Sequence, residues 1–422
     1  MQKFNSKCVR KYITGILIFF SYIAVTCDYK ENTSALNVID VEKTVGKYNI
    51  LNLSDYIEGI NYITLETNKS SLISVIRQII YENEQILVLD QIPGTYTSNC
   101  YLFDSNGKFY RKIGQLGQGP GDYNFIFNVS IQEKCIYLTD RHKILTYDLN
   151  GNQIDIIHLL PNEIPLEYIN LRSVIPLKKD TFVMNVTSVS GNYPKAILLN
   201  TYKSHAKIIK EYQQYIKLNK ISQRLSTNEL GFMYHFKEGI RIYKPICDTI
   251  FTICKNAEIE DAFIFQFGKY KPALSFFEAR EDYLEGMMKY IIPQSINESF
   301  KHLFIEFSFG KHSPEPVELK NAQGGAYSNT KVCSVFDKFN SKLILMSQPI
   351  KGKFGFKNDI DNGPVIWPRY ISSNNELVTY ISPEEFMDYY KKIDNPNPRI
   401  TEIAEKIRMD DNPIIIIAKL KS

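Results

Sequence analysis

Ile86-Leu87-Val88-Leu89-Asp90, Tyr101-Leu102-Phe103-Asp104, Ser105-Asn106-Gly107-Lys108 and Phe109 to Ile113 form one unit of sequence. They return as Ile136-Tyr137-Leu138-Thr139-Asp140, Ile144-Leu145-Thr146-Tyr147-Asp148, Leu149-Asn150-Gly151-Asn152 and Gln153 to His158. Each unit is an apolar strand ending in Asp, a second strand ending in aromatic-Asp, an Asn-Gly turn and a third strand. Asn-Gly between apolar runs predicts a two-residue type I′ hairpin turn. Two matching units about 45–50 residues apart predict repeated small sheets rather than one long sheet.

Between the units lies Lys112 to Phe125, K-I-G-Q-L-G-Q-G-P-G-D-Y-N-F, with Gly114, Gly117, Gly119 and Gly121 close together. Glycine reaches positive φ without steric cost, proline fixes φ, and aspartate tolerates tight turns, so this stretch is a shaped loop. It is not a phosphate cradle of a known kind. A P-loop needs Gly-Lys-Ser/Thr where Pro120 and Gly121 stand, and a dinucleotide fingerprint opens a helix where Phe125 to Ile131 reads as strand. A connection between repeats is expected, with Gln118, Asp122 and Tyr123 as candidates to face a ligand at a rim.

Further strands are expected at Thr181–Val186, Ala196–Thr201, Gly231–His235, Gly239–Lys244, Thr249–Cys254, Phe263–Phe267, His302–Phe309, Thr330–Phe336, Leu343–Ser347, Val365–Ile371 and Glu376–Ile381. Pro413 to Lys419 is an almost unbroken isoleucine run and reads as a buried central strand. A helix is predicted over Phe276–Tyr290, capped by Ser275 with Glu278. A second follows Ser382-Pro383-Glu384-Glu385, and a short third spans Glu402–Arg408. Tyr and Phe, 28 and 25 in number, suit half-buried sheet surfaces.

The N-terminus reads as an export signal. Lys3, Lys7, Arg10 and Lys11 precede an apolar run, Tyr12–Val25, of roughly 14 residues, short of the ~20 that a membrane span requires. Ala24-Val25-Thr26-Cys27 then resembles a bacterial lipoprotein signal, which makes Cys27 the lipidated first residue of the processed chain. Two acyl chains hold a protein at a membrane where one does not. The whole chain carries 50 Lys+Arg against 46 Asp+Glu, and the signal holds four of those basic residues. The remainder is neutral and has no overall field to draw a polyanion, so no nucleic-acid partner is expected.

With those landmarks in place, the chain resembles the six-bladed β-propeller lipoproteins of Bacteroidetes-type bacteria, themselves similar to NHL-repeat propellers. The resemblance rests on several segments. These are Leu53-Ser54-Asp55 with Tyr62-Ile63-Thr64-Leu65-Glu66-Thr67, the Gly114–Tyr123 loop as G-x-x-G-x-G-P-G-[ED]-Y, Asp248-Thr249-Ile250-Phe251, Asp359-Ile360-Asp361-Asn362-Gly363, and Asp411-Asn412-Pro413-Ile414-Ile415. It covers about Leu53 to Lys421 and is weakest between Thr201 and Gly231. It implies an all-β fold, a six-bladed propeller with a few helical insertions. Residues 1–26 are the signal, 27–50 a lipid-proximal linker and 51–422 the propeller. Closure by pairing of the N- and C-terminal strands is expected, Ile414–Leu420 against Tyr62–Glu66, because an unpaired isoleucine strand would aggregate. The expected location is the cell envelope, lipid-anchored to the outer membrane on its periplasmic or surface face.

No catalytic motif stands out. Cys100, Cys135, Cys247, Cys254 and Cys333 show no C-x-x-C spacing, so buried thiols are expected rather than disulfides or zinc. The six histidines are scattered, and Asp359-x-Asp361-x-Gly363 lacks the rest of a calcium loop, so neither a metal nor a cofactor is expected. Arg77, Asp90, Asp140, Arg141 and His142 lie at strand ends, Asp359 and Asp361 in a turn, and Trp367 is the sole tryptophan. All are candidate ligand-binding residues, and the competing reading of each is a turn cap or surface group. Two functions fit: a non-catalytic binding or scaffold propeller for a glycan, peptide or partner protein, and a propeller hydrolase or lyase whose polar residues converge on the channel. The absence of catalytic motifs favours the binder.

Overall fold

The computed structural model describes residues 37–421 apart from 96, 141, 160–163, 166–173, 187–192, 222–230, 279, 281 and 321–325. The signal and Cys27 therefore lie outside the described residues. Leu36–Ser422 forms one compact unit.

The fold is all-β and propeller-like, a succession of antiparallel meanders in chain order. The first repeat builds a four-stranded sheet from Ile76–Glu82, Gln85–Gln91, Ser98–Asp104 and Phe109–Ile113. The second repeat builds Asn128–Gln132, Cys135–Thr139, Lys143–Asp148 and Gln153–His158. It joins Val174–Lys178, Thr181–Asn185, Ala196–Tyr202 and His205–Tyr212 in an eight-stranded sheet. One parallel bridge, His158 to His205, makes that join. Next come Phe232–Phe236, Gly239–Lys244, Thr249–Ile253 and Ile259–Gln266. They are followed by Ile292–Glu298, His302–Ser308, Lys331–Asp337 and Lys342–Met346, with the hairpin Val317–Lys320/Ala326–Asn329 inserted.

The last sheet is Tyr370–Ile371, Glu376–Ile381, Ile414–Leu420 and Ile57–Thr64. The first long strand of the chain is thus its outer member, with Ile414 opposite Thr64, Ile415 opposite Ile63 and Ile416 opposite Tyr62. Ile414–Leu420 has partners on both sides and exposes only Lys419, so its uninterrupted apolar sequence matches a central position. Asn412 fastens this junction. Its Oδ1 accepts Ile73 N–H at 2.8 Å, and its Nδ2 donates to Glu66 O at 2.9 Å and Ser71 O at 2.8 Å.

Side-chain alternation explains how the sheets stack. In Gln85–Gln91, Leu87 and Leu89 pack with Ile136, Leu138 and Leu145 of the following sheet. Ile86 and Val88 pack with Val378, Ile415 and Ile417 of the last sheet. Successive residues of a strand face opposite sides, so a sheet buried on both faces has a continuous apolar strand. The same logic sets Ile240, Ile242 and Ile253 against Val183 and Leu198, and Tyr243, Ile250 and Phe263 against Leu303 and Ile305.

Several local expectations change. The Asn-Gly turns are not type I′: Gly107 and Gly151 have φ of 83° and 76°, and neither Asn106 nor Asn150 has positive φ. Instead Asp104 and Asp148 organise longer turns, accepting Lys108 and Asn152 N–H through their side chains. A bulge follows at Leu102/Phe103 and at Thr146/Tyr147. That is the three-residue hairpin with glycine at the left-handed position. Paired positive φ appears at Asn83-Glu84, Glu133-Lys134 and Lys203-Ser204, where the sequence gives no glycine.

The helix expected over Phe276–Tyr290 is two short ones, Leu274–Phe277 and Tyr283–Lys289, the second capped by Asp282 accepting Glu285 N–H at 3.0 Å. Pro293, three residues past the end of the expected helix, sits at a bulge inside a strand. Pro383–Tyr390 is capped by Ser382 as expected, while the third helix, Pro398–Lys406, begins earlier than Glu402 and is capped by Asn397. Val365–Ile371 shrinks to Tyr370–Ile371, because Pro364 and Pro368 remove ladder donors on either side of Ile366. Part of the stretch 27–50 expected as a linker is built into the sheets. Asn37–Asp40 pairs in parallel with Ile259–Gln266, and Tyr48–Asn49 with Lys342–Met346. No helix among the described residues is long and apolar enough to cross a membrane. No disulfide joins the described cysteines.

Candidate functional site

Each meander leaves its first strand at one edge of its sheet. Those edges, Ile76–Glu82, Asn128–Gln132, Val174–Lys178, Phe232–Phe236, Ile292–Glu298 and Tyr370–Ile371, border one cavity of about 730 Å³. An edge strand presents backbone N–H and C=O groups with no partner in its own sheet. Side chains satisfy part of that demand and fasten one sheet to the next. The Gln78 amide donates to Val129 O at 2.7 Å and accepts Val129 N–H at 3.0 Å. Asn128 Nδ2 donates to Val174 O at 3.3 Å, and Asn297 Nδ2 to Pro368 O at 3.1 Å.

The carboxylates of the cavity wall are already engaged. The Glu298 side chain is fully buried. It accepts Arg241 Nε at 3.0 Å and Nη2 at 3.1 Å, Lys338 Nζ at 3.1 Å and Tyr234 Oη at 3.0 Å. A two-pronged guanidinium contact of this type is among the stronger charge-assisted pairs. Burial, with Glu298 beside it, raises the Tyr234 hydroxyl well above its ordinary range. Burial also pulls the Lys338 ammonium down against the pull of Glu298. Arg241 works the other way: burial opposes its charge, but Glu298 more than compensates. Glu82 accepts Tyr370 Oη and Ser373 N–H, both at 2.7 Å, and the Ser373 hydroxyl. Glu133 accepts Lys179 N–H at 3.3 Å.

The cations are less committed. Arg369 borders the cavity with a side chain that is 51% exposed, and its nearest carboxylate, Glu306, is 3.8 Å away. Lys331 holds Glu306 more closely, at 3.1 Å. The Arg369 guanidinium makes no hydrogen bond among the described residues. Lys134 and Lys237 also border the cavity. His235 lies on the same wall. Burial lowers its pKa to about 4, and its Nε2 has no hydrogen-bond partner among the described residues, as is true of the Gln294 amide nitrogen. Phe300 is 51% exposed on the rim.

The residues singled out from the sequence are placed elsewhere. Asp90 is wholly buried and accepts Ser74 and Val75 N–H at 2.8 and 3.0 Å. Asp140 does the same for Asn124 and Phe125 one repeat later, at 3.2 and 3.5 Å. Each thus caps the loop that enters the innermost strand of its own sheet. Arg77 donates to Ile126 O at 2.6 Å and to Phe127 O, and lies over the Phe125 ring. In the glycine loop Asp122 accepts Gly119 N–H at 2.9 Å, Gln118 is exposed and Tyr123 is fully buried. Gly114 has φ of 70°, and a Cβ there would lie 2.7 Å from Tyr147 Oη, so this loop is shaped by packing. His142 is exposed, and Arg141 lies outside the described residues.

Asp359 accepts Ser54 N–H at 2.9 Å, and Asp361 accepts Gly363 N–H at 2.9 Å and Tyr62 Oη at 3.3 Å. Both tie the turn to the closing strand region. Trp367 is buried against Phe304 and Phe356. None of these described candidates borders the cavity. Among the described residues, no three His, Cys, Asp or Glu gather as metal ligands.

The cavity residues carry no short motif. Glu298 meets Arg241, in a strand of another sheet, across 57 positions and Lys338, just past the end of a strand, across 40.

Comparison with known proteins agrees with the architecture. The family described as "Domain of unknown function (DUF4934)" matches residues 36–419. No curated protein matches. The chain is similar to a crystal structure of a protein from Bacteroides fragilis described as exported, at 18% identity and a TM-score of 0.65, over 91% of this chain and all of the other. A member of the duf4221 family from Bacteroides vulgatus aligns at 12% identity and a TM-score of 0.49, over 89% of this chain and 99% of that one.

Proposed function

The chain belongs to the family described as Domain of unknown function (DUF4934), and from that premise we propose a lipid-anchored, six-bladed binding propeller of the cell envelope whose central cavity holds a polar ligand. The count of six rests on reading the eight-stranded sheet as two blades that touch through one bridge. Each blade then has four meander strands, the usual blade of a propeller. Export is supported by the likeness to a protein described as exported and by the signal-like N-terminus. Anchoring rests on Cys27 and the residues before it.

One observation carries the binding reading: a cavity of about 730 Å³ bordered by amides and hydroxyls, namely Gln78, Asn128, Ser130, Gln294, Ser295 and Asn297. Ligand sites of about 300–1,000 Å³ with a few convergent polar groups are typical of proteins. The three acids of the wall accept hydrogen bonds from the protein itself, which leaves them poorly placed as paired acid and base. A glycan is the favoured ligand, because it offers the hydroxyls that such a wall recognises.

Thermal-shift titration of the purified protein with oligosaccharides and peptides tests this. Saturation at about 100 times Kd stabilises the fold by ~2.7 kcal/mol. Ser130→Trp, which fills the cavity, is expected to abolish the shift. Binding that survives this variant removes the cavity from the account. The second reading, a hydrolase or lyase, finds support in His235, a neutral imidazole with an unpartnered nitrogen on the cavity wall. Turnover of a bound glycan that disappears in His235→Gln would favour it.

A further inference from the structure

We propose that the cavity selects an acidic glycan, a sugar chain bearing a carboxylate, with Arg369 as the residue that clamps the carboxylate. The inference rests on the cavity being the binding site, and it narrows what that site takes.

Charge accounting along the wall leads to it. Glu82 has three donors, Glu298 has two cations and a phenol, and Glu133 has a backbone N–H. Glu298 is matched by two cations, whereas Glu82 and Glu133 meet only neutral donors and keep their charge. Arg369, Lys134 and Lys237 border the same space. Arg241 and Lys338 together outweigh the single charge of Glu298, and Arg369, Lys134 and Lys237 outnumber Glu82 and Glu133, so the balance around the cavity is positive although the chain beyond the signal is neutral overall. Of the three, Arg369 is the best suited to recognition. It sits immediately before the innermost strand Tyr370–Ile371, and its backbone N–H is fixed to Val378 O at 2.9 Å. Its guanidinium is half exposed, and its one carboxylate neighbour stands 3.8 Å away while Lys331 engages that neighbour at 3.1 Å. A guanidinium presents five donors in a planar fork that matches a carboxylate with two parallel hydrogen bonds.

The rest of the wall points to a sugar rather than a peptide as the bearer of the carboxylate. Ser130 and Ser295 supply hydroxyls, and Asn128 and Asn297, whose Nδ2 atoms are given to Val174 O and Pro368 O, supply their Oδ1 acceptors. Phe300, half exposed on the rim, supplies a flat apolar face for a pyranose ring. It is held in place by its own N–H, which donates to Asn375 Oδ1 at 2.9 Å. Carboxylate, hydroxyls and a ring face together describe a uronate-type oligosaccharide.

Calorimetric titration with a homo-oligomer of galacturonate, its neutral galactose counterpart and a short acidic peptide tests the proposal, on wild type, Arg369→Gln, Arg369→Lys and Ser130→Trp. The acidic sugar is expected to bind wild type. Arg369→Gln is expected to weaken it ~10- to 100-fold, the range for loss of charged hydrogen bonds. Arg369→Lys, which keeps the charge but loses the fork, is expected to fall between. The weak binding of the neutral sugar is expected to stay unchanged in both, and unchanged melting curves would show that both variants fold. Equal affinity for acidic and neutral sugars, wild-type affinity in Arg369→Gln, or binding of the peptide alone would overturn the proposal. If ligands bind but ignore Ser130→Trp, the cavity reading fails. If Ser130→Trp blocks them and Arg369→Gln does not discriminate, only the acid preference fails.

Discussion

Replacing Asn412 with alanine removes the device that joins the two ends of the fold. Asn412 is 1% exposed, and its amide makes three buried hydrogen bonds: one from Ile73 N–H and two to the carbonyls of Glu66 and Ser71. Each is worth about 1 kcal/mol net, and a buried partner left unpaired costs about 1–3 kcal/mol. Asn412→Ala should therefore lower stability by about 3–5 kcal/mol. Its own N–H still reaches Thr67 Oγ1, so the backbone anchor survives and the loss belongs to the side chain. Asn412→Asp keeps the acceptor for Ile73 but sets a carboxylate against two carbonyls, and should cost at least as much. Asp411→Ala is the control. Its exposed carboxylate accepts one N–H, from Arg408, and its loss should cost about 0.5–1 kcal/mol. Equilibrium urea denaturation followed by tyrosine fluorescence measures all three. A loss below about 1 kcal/mol in Asn412→Ala, or a drop confined to one spectroscopic probe, would refute the idea that this junction governs the whole body.

Gly107→Ala should be far worse than Gly94→Ala, although both glycines have positive φ. A Cβ at Gly107 would lie 2.3 Å from Thr64 O in the closing strand, whereas nothing lies within 4 Å at Gly94, where a cost of about 1–2 kcal/mol is expected in thermal melts. Glu298→Gln leaves Arg241 and Lys338 buried beside a neutral amide and should cost about 3–5 kcal/mol, part of which Lys338→Met should restore in the double variant. His235 is neutral in the fold, with a pKa lowered from 6.5 to about 4 by burial, so the unfolded chain takes up its proton first on acidification. Its contribution is present above pH 6.5 and lost as pH falls towards 4, up to ~3 kcal/mol, and His235→Gln should flatten that part of the stability profile. Cys27→Ala should move the exported protein from the detergent phase to the aqueous phase and abolish labelling by a fatty-acid analogue. Continued partition into detergent would remove Cys27 as the anchor.

The fold was legible where strand period and turn chemistry coincide. The two repeats announced a meander, and the isoleucine run at 414–420 announced a strand buried on both sides. The sequence misled where one local pattern has two outcomes. Asn106-Gly107 suggested a two-residue turn, but the Asp104 side chain organised a longer one with a bulge. Ser275 and Glu278 suggested a cap, yet Glu278 instead accepts the backbone and side chain of Asn219, and Asp282 caps the second helix. The aspartates at strand ends were conspicuous because each repeat needs one to hold its entering loop, so periodicity marked structure rather than chemistry. The cavity was illegible for the opposite reason. Its wall takes from one to five residues from each of six strands, and Arg241 and Glu298 become neighbours only once two sheets are stacked.

The pairing of Ile57–Thr64 with Ile414–Leu420 also governs the order in which this protein can be made. Asn412 and Glu66 are 346 positions apart, so the contact that closes this sheet waits until most of the fold has been synthesised. Until then the early strand has no ladder partner on either edge, and closing so long a loop is entropically slow. A nascent chain therefore carries its first long strand as an incomplete sheet. Its vulnerable interval ends only when the tail arrives.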